Sequence, residues 1–528
     1  MLFPSRNPRI LMVTPEVTYV PNGMSNIAHC LCAKAGGLAD VSAALVSALF
    51  EQGADVHIAL PDYRSIFDDR LSMLLRRERK LLRESMPCER IHLAEDRAFF
   101  YLDHVYSSYH GDNVKLALAF QREVINNIIP RVQPDLIHCN DWMTGLIPAV
   151  SRQLGIPSLF TIHNVHNVKT PVAVVEDRGI DVLPMWKQLY YDSLNGSYEE
   201  AVAGSSVDFL TSGIFAAHFV NTVSPKFLAE IADGRHDFIE PQVQSELHNK
   251  VRAGCGAGIL NAPDPSYVPE EDKALARNYS AATHAGGKRE NKRFLQKKLG
   301  LLEDEQAPLF FWPSRLDSVQ KGCQLLAEIL FEVVSHYWED RLQIVFVGSG
   351  EYFTHFQSIV TFHNLARRVV VREFDEDLSR LAFGAADFIL MPSRYEPCGL
   401  PQMIGPIYGA LPIAHDTGGI HDTVEPLDAE KGVGNGFLFA NFEPAGLRTS
   451  IGQAMEFFHL KKNLRNHCIE RIMKQSRKRF NHEVTARNYI DLYEKMLRRP
   501  LVRNALLTEA PKTKKKEPQR LWCVNESA

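Results

Sequence analysis

Disulfide staples, membrane spans and a strong charge of one sign are all missing from this sequence, and each absence removes a class of function. The nine cysteines are odd in number and scattered, with no C-x-x-C pair and only Cys30 and Cys32 close together. That usage fits reduced thiols in a cytosol and neither a disulfide framework nor a zinc site. No apolar run approaches the roughly 20 residues of a membrane helix. The start, MLFPSRNPRILMVTPEV, enters a strand-like apolar run within about ten residues, which leaves no room for the charged, apolar and cleavage regions of a signal peptide. A cytoplasmic location is therefore expected. The formal net charge is only −4 and no basic block dominates the body, so neither nucleic acid nor an anionic membrane is expected as a partner. His163 and His166, at i and i+3, have no third ligand nearby in sequence, and no metal is expected. No internal repeat of fixed period runs through the chain.

What is present is an ordinary soluble composition, 45% hydrophobic over 528 residues, enough to bury the cores of two or more domains. Strand-like apolar runs at 10–14, 56–60, 136–138, 158–162, 310–313, 344–347 and 388–391 alternate with helix-length amphipathic segments. That alternation predicts an α/β fold of parallel sheets with helical crossovers. Between 234 and 273 it is interrupted by Gly254, Gly256, Gly258 and the run Ala262-Pro263-Asp264-Pro265, turn chemistry that places a hinge there. The expected organisation is a first domain over 1–261, a second over 262–479, a helix over 480–500 ended by Pro500, and a polar, mobile tail over 501–528 whose lysines 514–516 are solvated.

The most informative stretch is PSRYEPCGLPQMIGPIYGALPIAHDTGGIHDTV, from Pro392 to Val424. Phe388 to Met391 reads as a buried strand, and Glu396 sits in the loop past its end, where open α/β sheets bind ligands. Cys398, Gly399 and Leu400 open a helix, Leu411 to Ala414 makes the next strand, and Thr417-Gly418-Gly419 starts another helix. Backbone N–H groups and the helix dipole at such a start suit a phosphate, and the carboxylate suits sugar hydroxyls. In order and wording this segment resembles the C-terminal signature of the bacterial glycogen synthase and plant starch synthase family, retaining glucosyltransferases with two Rossmann-like domains facing a cleft, an acceptor-side first domain and a donor-side second. The resemblance implies that the helix over 480–500 crosses back to the first domain.

The resemblance extends to other motifs. Lys34-Ala35-Gly36-Gly37-Leu38 is a glycine turn opening a helix with a lysine before it, a combination suited to an anion, and it matches the family's K-x-G-G-L beside the donor. Asp141-Trp142 match its H-D-W element, and His163-Asn164 its T-x-H-N element. Arg315 and Lys321 follow the first strand of the second domain, where the family's Arg and Lys hold the donor phosphates. They stand six positions apart here, one more than the family pattern. Gly348-Ser349-Gly350 imitates the first half of a dinucleotide fingerprint. Phe353 replaces the third glycine, and the acid expected about twenty residues on has no clear strand-end candidate; the family carries a similar glycine turn near the nucleotide. The sequence also departs from the family in a long stretch from Val20 to Ala33, in His166-Asn167-Val168, in Asn261-Ala262-Pro263-Asp264 with Tyr267, and in Pro401 after Cys398-Gly399-Leu400.

The resemblance implies transfer of glucose from a nucleoside diphosphate glucose to the non-reducing end of an α-1,4-glucan with retention, and needs no cofactor beyond the nucleotide sugar. ADP-glucose follows from the bacterial and plant side of that resemblance. In these terms Glu396 binds glucose hydroxyls, His163 sits near the reacting sugar, Asp141 lines the cleft and Lys34 touches donor or leaving group. Arg315, Lys321 and the turn at Gly418-Gly419 take the charge of the departing diphosphate. Three other readings stay open: a retaining transferase for a different sugar or acceptor, a non-catalytic glucan-binding protein, and a phosphorylase-like enzyme dependent on pyridoxal phosphate.

Overall fold

The computed structural model describes residues 6–25, 28, 31–68, 90–107 and 109–502. The expected tail from residue 503 on, with its lysines, lies outside them. The described residues form two compact units, one running to Ile259 and resuming at His482, the other Leu260–Asn481.

The first unit carries strands β1 (Arg9–Val13), β2 (Asp55–Pro61), β3 (Ile91–Ala94), β4 (Leu136–Asn140), β5 (Ser158–Ile162), β6 (Lys169–Pro171), β7 (Ser206–Asp208), β8 (Phe219–Thr222) and β9 (Gly256–Gly258). Seven of them make one sheet of order β3-β2-β1-β4-β5-β8-β9, parallel throughout. β6 and β7 pair antiparallel beside it. Parallel neighbours need long crossovers, and helices such as Gly37–Glu51 and Ile147–Gln153 supply them. With both faces covered the strands read as continuous apolar runs: Ile10, Leu11, Met12 and Val13 have no exposed surface. The helix His482–Leu497 closes this unit, with Tyr493 Oη 2.7 Å from His138 Nδ1 and Tyr489 Oη accepting from Asn221 Nδ2 at 3.1 Å.

Part of the interruption expected over 234–273 is ordered as a helix and an edge strand of the first unit, while residues 259–273 form neither helix nor strand. Residues Pro241–Arg252 form a helix, and Gly256 and Gly258 sit in edge strand β9, where a Cβ on Gly258 would come 2.2 Å from Pro225 Cα. These glycines serve a close strand-to-helix approach, which composition alone does not distinguish from a turn.

The second unit carries β10 (Leu309–Trp312), β11 (Gln343–Val347), β12 (Val369–Arg372), β13 (Phe388–Met391), β14 (Leu411–His415) and β15 (Phe437–Phe439) in the order β12-β11-β10-β13-β14-β15, all parallel. Successive side chains point to opposite faces. Phe310 and Trp312 thus join one apolar layer with Leu326, Leu330 and Ile451, and Leu309 and Phe311 the other with Leu295, Leu381 and Tyr408. Among the described residues no helix is long and apolar enough to cross a membrane.

Candidate active site

In an open parallel sheet, ligands bind past the carboxyl ends of the strands where the strand order reverses. In the first unit that point lies between β1 and β4, and the loops leaving them carry Glu16 and Asp141. The long stretch after β1 is closed at its base. Val17 and Ala33 exchange N–H···O bonds of 2.9 and 2.8 Å, so the extra chain leaves and returns at one place and Lys34 still arrives beside Glu16. Glu16, 2% exposed, accepts from the N–H groups of Ala35 (2.7 Å) and Gly36 (2.9 Å), and the Tyr106 hydroxyl donates to its other oxygen at 3.3 Å. Burial pushes its pKa up against those hydrogen bonds. The amides of Ala35 and Gly36, expected to face an anion, are thus engaged by Glu16. Gly37 remains open, with nothing within 4 Å of where its Cβ would be. Lys34 Nζ lies 2.9 Å from Asp40 Oδ2.

Asp141 follows β4 at φ 55° and ψ 179°, a backbone region that costs a residue with a side chain of order 1–3 kcal/mol and gathers at functional sites. The conformation turns its carboxylate inward, 6% exposed, to accept from the His163 N–H at 2.7 Å and, more loosely, from Asn164 Nδ2 at 3.5 Å. Burial raises its pKa to about 7. Asn140 Nδ2 donates to the Val13 carbonyl at 3.1 Å, so its Oδ1 faces His163 Nε2 at 2.9 Å. The His163 ring is then the neutral tautomer protonated on Nε2. Desolvation, which lowers its pKa to about 3, keeps it neutral. Asp141, His163 and Asn164 form one cluster. His166 instead sets its ring against Trp142 at 5.7 Å. Among the described residues no group of three or more His, Cys, Asp or Glu is disposed to hold a metal ion.

In the second unit the order reverses between β10 and β13, whose loops carry Arg315, Lys321 and Glu396. Lys321 Nζ lies 2.6 Å from Glu396 Oε2, and the Ser393 hydroxyl donates to the same oxygen at 3.1 Å. Glu396 is buried and Lys321 nearly so, at 6% and 12% side-chain exposure. The extra residue between Arg315 and Lys321 is taken up by a turn in which Gln320 N–H donates to Asp317 Oδ1 at 2.7 Å, so the lysine stays in the site. Arg315 does not join it: its side chain is 69% exposed, 3.5 Å from Asp317 and 3.0 Å from Gln320 Oε1.

The glycines lock these loops together. A Cβ on Gly322 would lie 1.9 Å from the Pro392 carbonyl, on Gly348 2.3 Å from that of Ser314, on Gly350 2.4 Å from that of Leu316, on Gly418 2.1 Å from that of Glu396 and on Gly419 2.0 Å from that of Cys398. The Gly419 N–H donates to the Glu396 carbonyl at 2.9 Å, so this amide, expected to hold a phosphate, instead fixes the loop bearing the carboxylate. Thr417 stands at the N-cap position of the short helix Gly418–Thr423. Leu400 precedes the helix Pro401–Ile407, with Pro401 at its first position, where proline fits, and the Gln402 amide donates to Cys398 and Gly399 carbonyls at 2.7 and 3.0 Å. The Cys398 thiol is buried and pushed up to about 12, which removes it as a nucleophile. Contrary to the expectation of no strand-end acid, Glu373 stands directly past β12, and the Ser349 hydroxyl donates to it. The spacing of 348 to 373 concealed it.

Glu16, Tyr106, Asn140 and Ser393 are the site residues to which motif reading assigned no role. Only Glu16, just past an apolar strand run, left a signal in the sequence.

Comparison with known proteins adds a second line of evidence. Residues 9–243 match the model of the starch synthase catalytic domain, and 307–456 that of glycosyl transferases group 1. A glycogen synthase of Exiguobacterium sibiricum is 34% identical over 87% of this chain and 95% of its own length. One of Moorella thermoacetica is 32% identical over 93% and 97%. Among solved structures, the catalytic domain of starch synthase IV from Arabidopsis thaliana, bound to ADP and acarbose, aligns over 94% of this chain and all of its own, with a TM-score of 0.72 at 25% identity.

Proposed function

This chain belongs to the glycogen synthase family, an α/β group of GT-B fold, and from that footing we propose how its own residues elongate an α-1,4-glucan. The donor in this reading is ADP-glucose, by analogy with the ADP-bound starch synthase, and the acceptor is the non-reducing end of a glucan such as glycogen.

The single observation that carries the residue assignment is the buried Lys321–Glu396 pair at the reversal point of the second sheet. The barrier of a retaining transfer lies in parting a negative diphosphate from an oxocarbenium-like sugar. A cation fixed in place lowers that barrier without reorganising. Lys321 supplies it, and Glu396, held by Ser393 and Lys321, has a further oxygen for glucose hydroxyls. The exposed Arg315 is free to swing onto the phosphates when donor arrives. No strong protein base is required, since the departing phosphate oxygen takes the acceptor's proton on the same face of the sugar. In the first unit, His163 is neutral and tethered through Nε2, which leaves Nδ1 to accept from a sugar hydroxyl, and Asp141 holds the His163 backbone in place. The cysteines among the described residues are all free thiols, which supports a reducing, cytoplasmic location.

A panel of nucleoside diphosphate glucoses with a glucan primer tests this reading. ADP-glucose is expected to give the fastest primer-dependent release of nucleotide. Faster release from UDP-glucose would overturn the donor, and release without primer would overturn the acceptor.

A further inference from the structure

The glycine turn after β11 and the carboxylate after β12 take part in no step given above. The two strand ends are tied together: the Gly348 N–H donates to the Arg372 carbonyl at 3.0 Å, and the Ser349 hydroxyl donates to Glu373 Oε2. Glu373 makes no other hydrogen bond or ion pair with the described residues. A carboxylate past one parallel strand, beside a glycine turn past its neighbour, is how Rossmann-type sheets take the hydroxyls of a ribose.

Strand order puts this carboxylate at a useful distance. Glu396 follows β13 and Lys321 follows β10, so a donor laid with glucose at the first and diphosphate at the second runs on across β11 to β12. Neighbouring strands lie about 4.8 Å apart, which sets the ends of β13 and β12 about three spacings, ~14 Å, from each other. An extended glucose–diphosphate–ribose chain covers such a span. A carboxylate has lone pairs for several donors. With Oε2 fixed by Ser349, Oε1 is available to the vicinal 2′- and 3′-hydroxyls.

We propose that Glu373, oriented by Ser349, accepts hydrogen bonds from the ribose hydroxyls of the nucleotide donor and is a specificity-determining residue for its nucleoside end. The inference rests on the reading that Glu396 and Lys321 hold the glucose and the diphosphate. Because ribose is common to adenosine and uridine donors, it does not depend on which base is preferred.

The test is calorimetric binding of ADP, 2′-deoxy-ADP and 3′-deoxy-ADP to the full chain, and of the uridine set should UDP bind more tightly. Wild type is compared with Glu373→Ala, Glu373→Gln and Ser349→Ala. Glu373→Ala is expected to weaken ADP binding about tenfold to a hundredfold, the scale of a hydrogen bond to a charged group. Removing a ribose hydroxyl is expected to cost affinity in the wild type and almost nothing in the variant, the non-additivity of groups in contact. Ser349→Ala should fall between. Equal losses on removing the hydroxyl from wild type and variant would overturn the role of Glu373 while leaving the donor reading intact. If neither ADP nor UDP binds the wild type, the donor reading itself fails and this inference falls with it.

Discussion

Lys321 and Glu396 were legible in the sequence as a cation and a carboxylate with separate tasks. Their pairing was not, because it joins residues 75 positions apart in the chain. Breaking a buried pair from one side leaves an uncompensated charge, at a cost of about 3–5 kcal/mol. Lys321→Ala is therefore expected to lose stability as well as about a hundredfold or more in kcat. Near-normal turnover would remove this lysine from the chemistry. Glu396→Gln keeps an acceptor for Lys321 and Ser393 and should retain more activity than Glu396→Ala; equal and complete loss in two folded variants would point to a need for the negative charge itself. Asp141 gives a prediction in pH. Its pKa is raised in the fold, from 3.8 to about 7, chiefly by burial, so the protonated form is the one the fold favours. The stabilisation is whole below about pH 4 and is lost as pH rises through about 7. Relative to Asp141→Asn, which has no such proton, the wild type should lose on the order of 4 kcal/mol between those limits, measured as urea-unfolding free energy. A difference that stays flat with pH would contradict the assignment.

The strands were readable from apolar runs because parallel strands covered on both faces lose the polar alternation that blurs half-exposed ones: 158–162 and 388–391 were expected and observed with the same bounds. Loops gave less away. Glycine in a sequence looks the same whether it opens a backbone to a ligand or lets one loop lie on another, and the turns of the second unit use it for the second purpose. The distinction is testable. Gly419→Ala would place a methyl 2.0 Å from the Cys398 carbonyl and should destabilise the chain by more than about 2 kcal/mol, at the upper end of overpacking costs. Gly37→Ala meets nothing within 4 Å and should leave the melting temperature unchanged within error. If Gly37→Ala is nonetheless slow, with a raised KM for donor or primer, the open space at this turn belongs to a ligand. Equal melting temperatures for the two variants would refute the packing role of Gly419.

At the scale of the molecule, the alternation of strand and helix and the motif from Pro392 to Val424 were enough to fix the α/β class and the family. The return of the last helix to the first unit was implied by the family resemblance and not by periodicity, since the contacts that hold it, Tyr493 to His138 and Tyr489 to Asn221, span more than 260 residues of chain. The two units each present a cluster at the reversal point of their own sheet, one built on Glu16, Asp141 and His163, the other on Lys321 and Glu396. These clusters are proposed to serve glucosyl transfer and not glucan binding alone. The most direct measurement is nucleotide release from ADP-glucose with and without a glucan primer, followed by digestion of the product with an α-1,4-specific amylase. Release that requires primer and resists chelators, with lengthened chains yielding maltose, is the predicted result. Glycogen binding without nucleotide release from any nucleoside diphosphate glucose would contradict it.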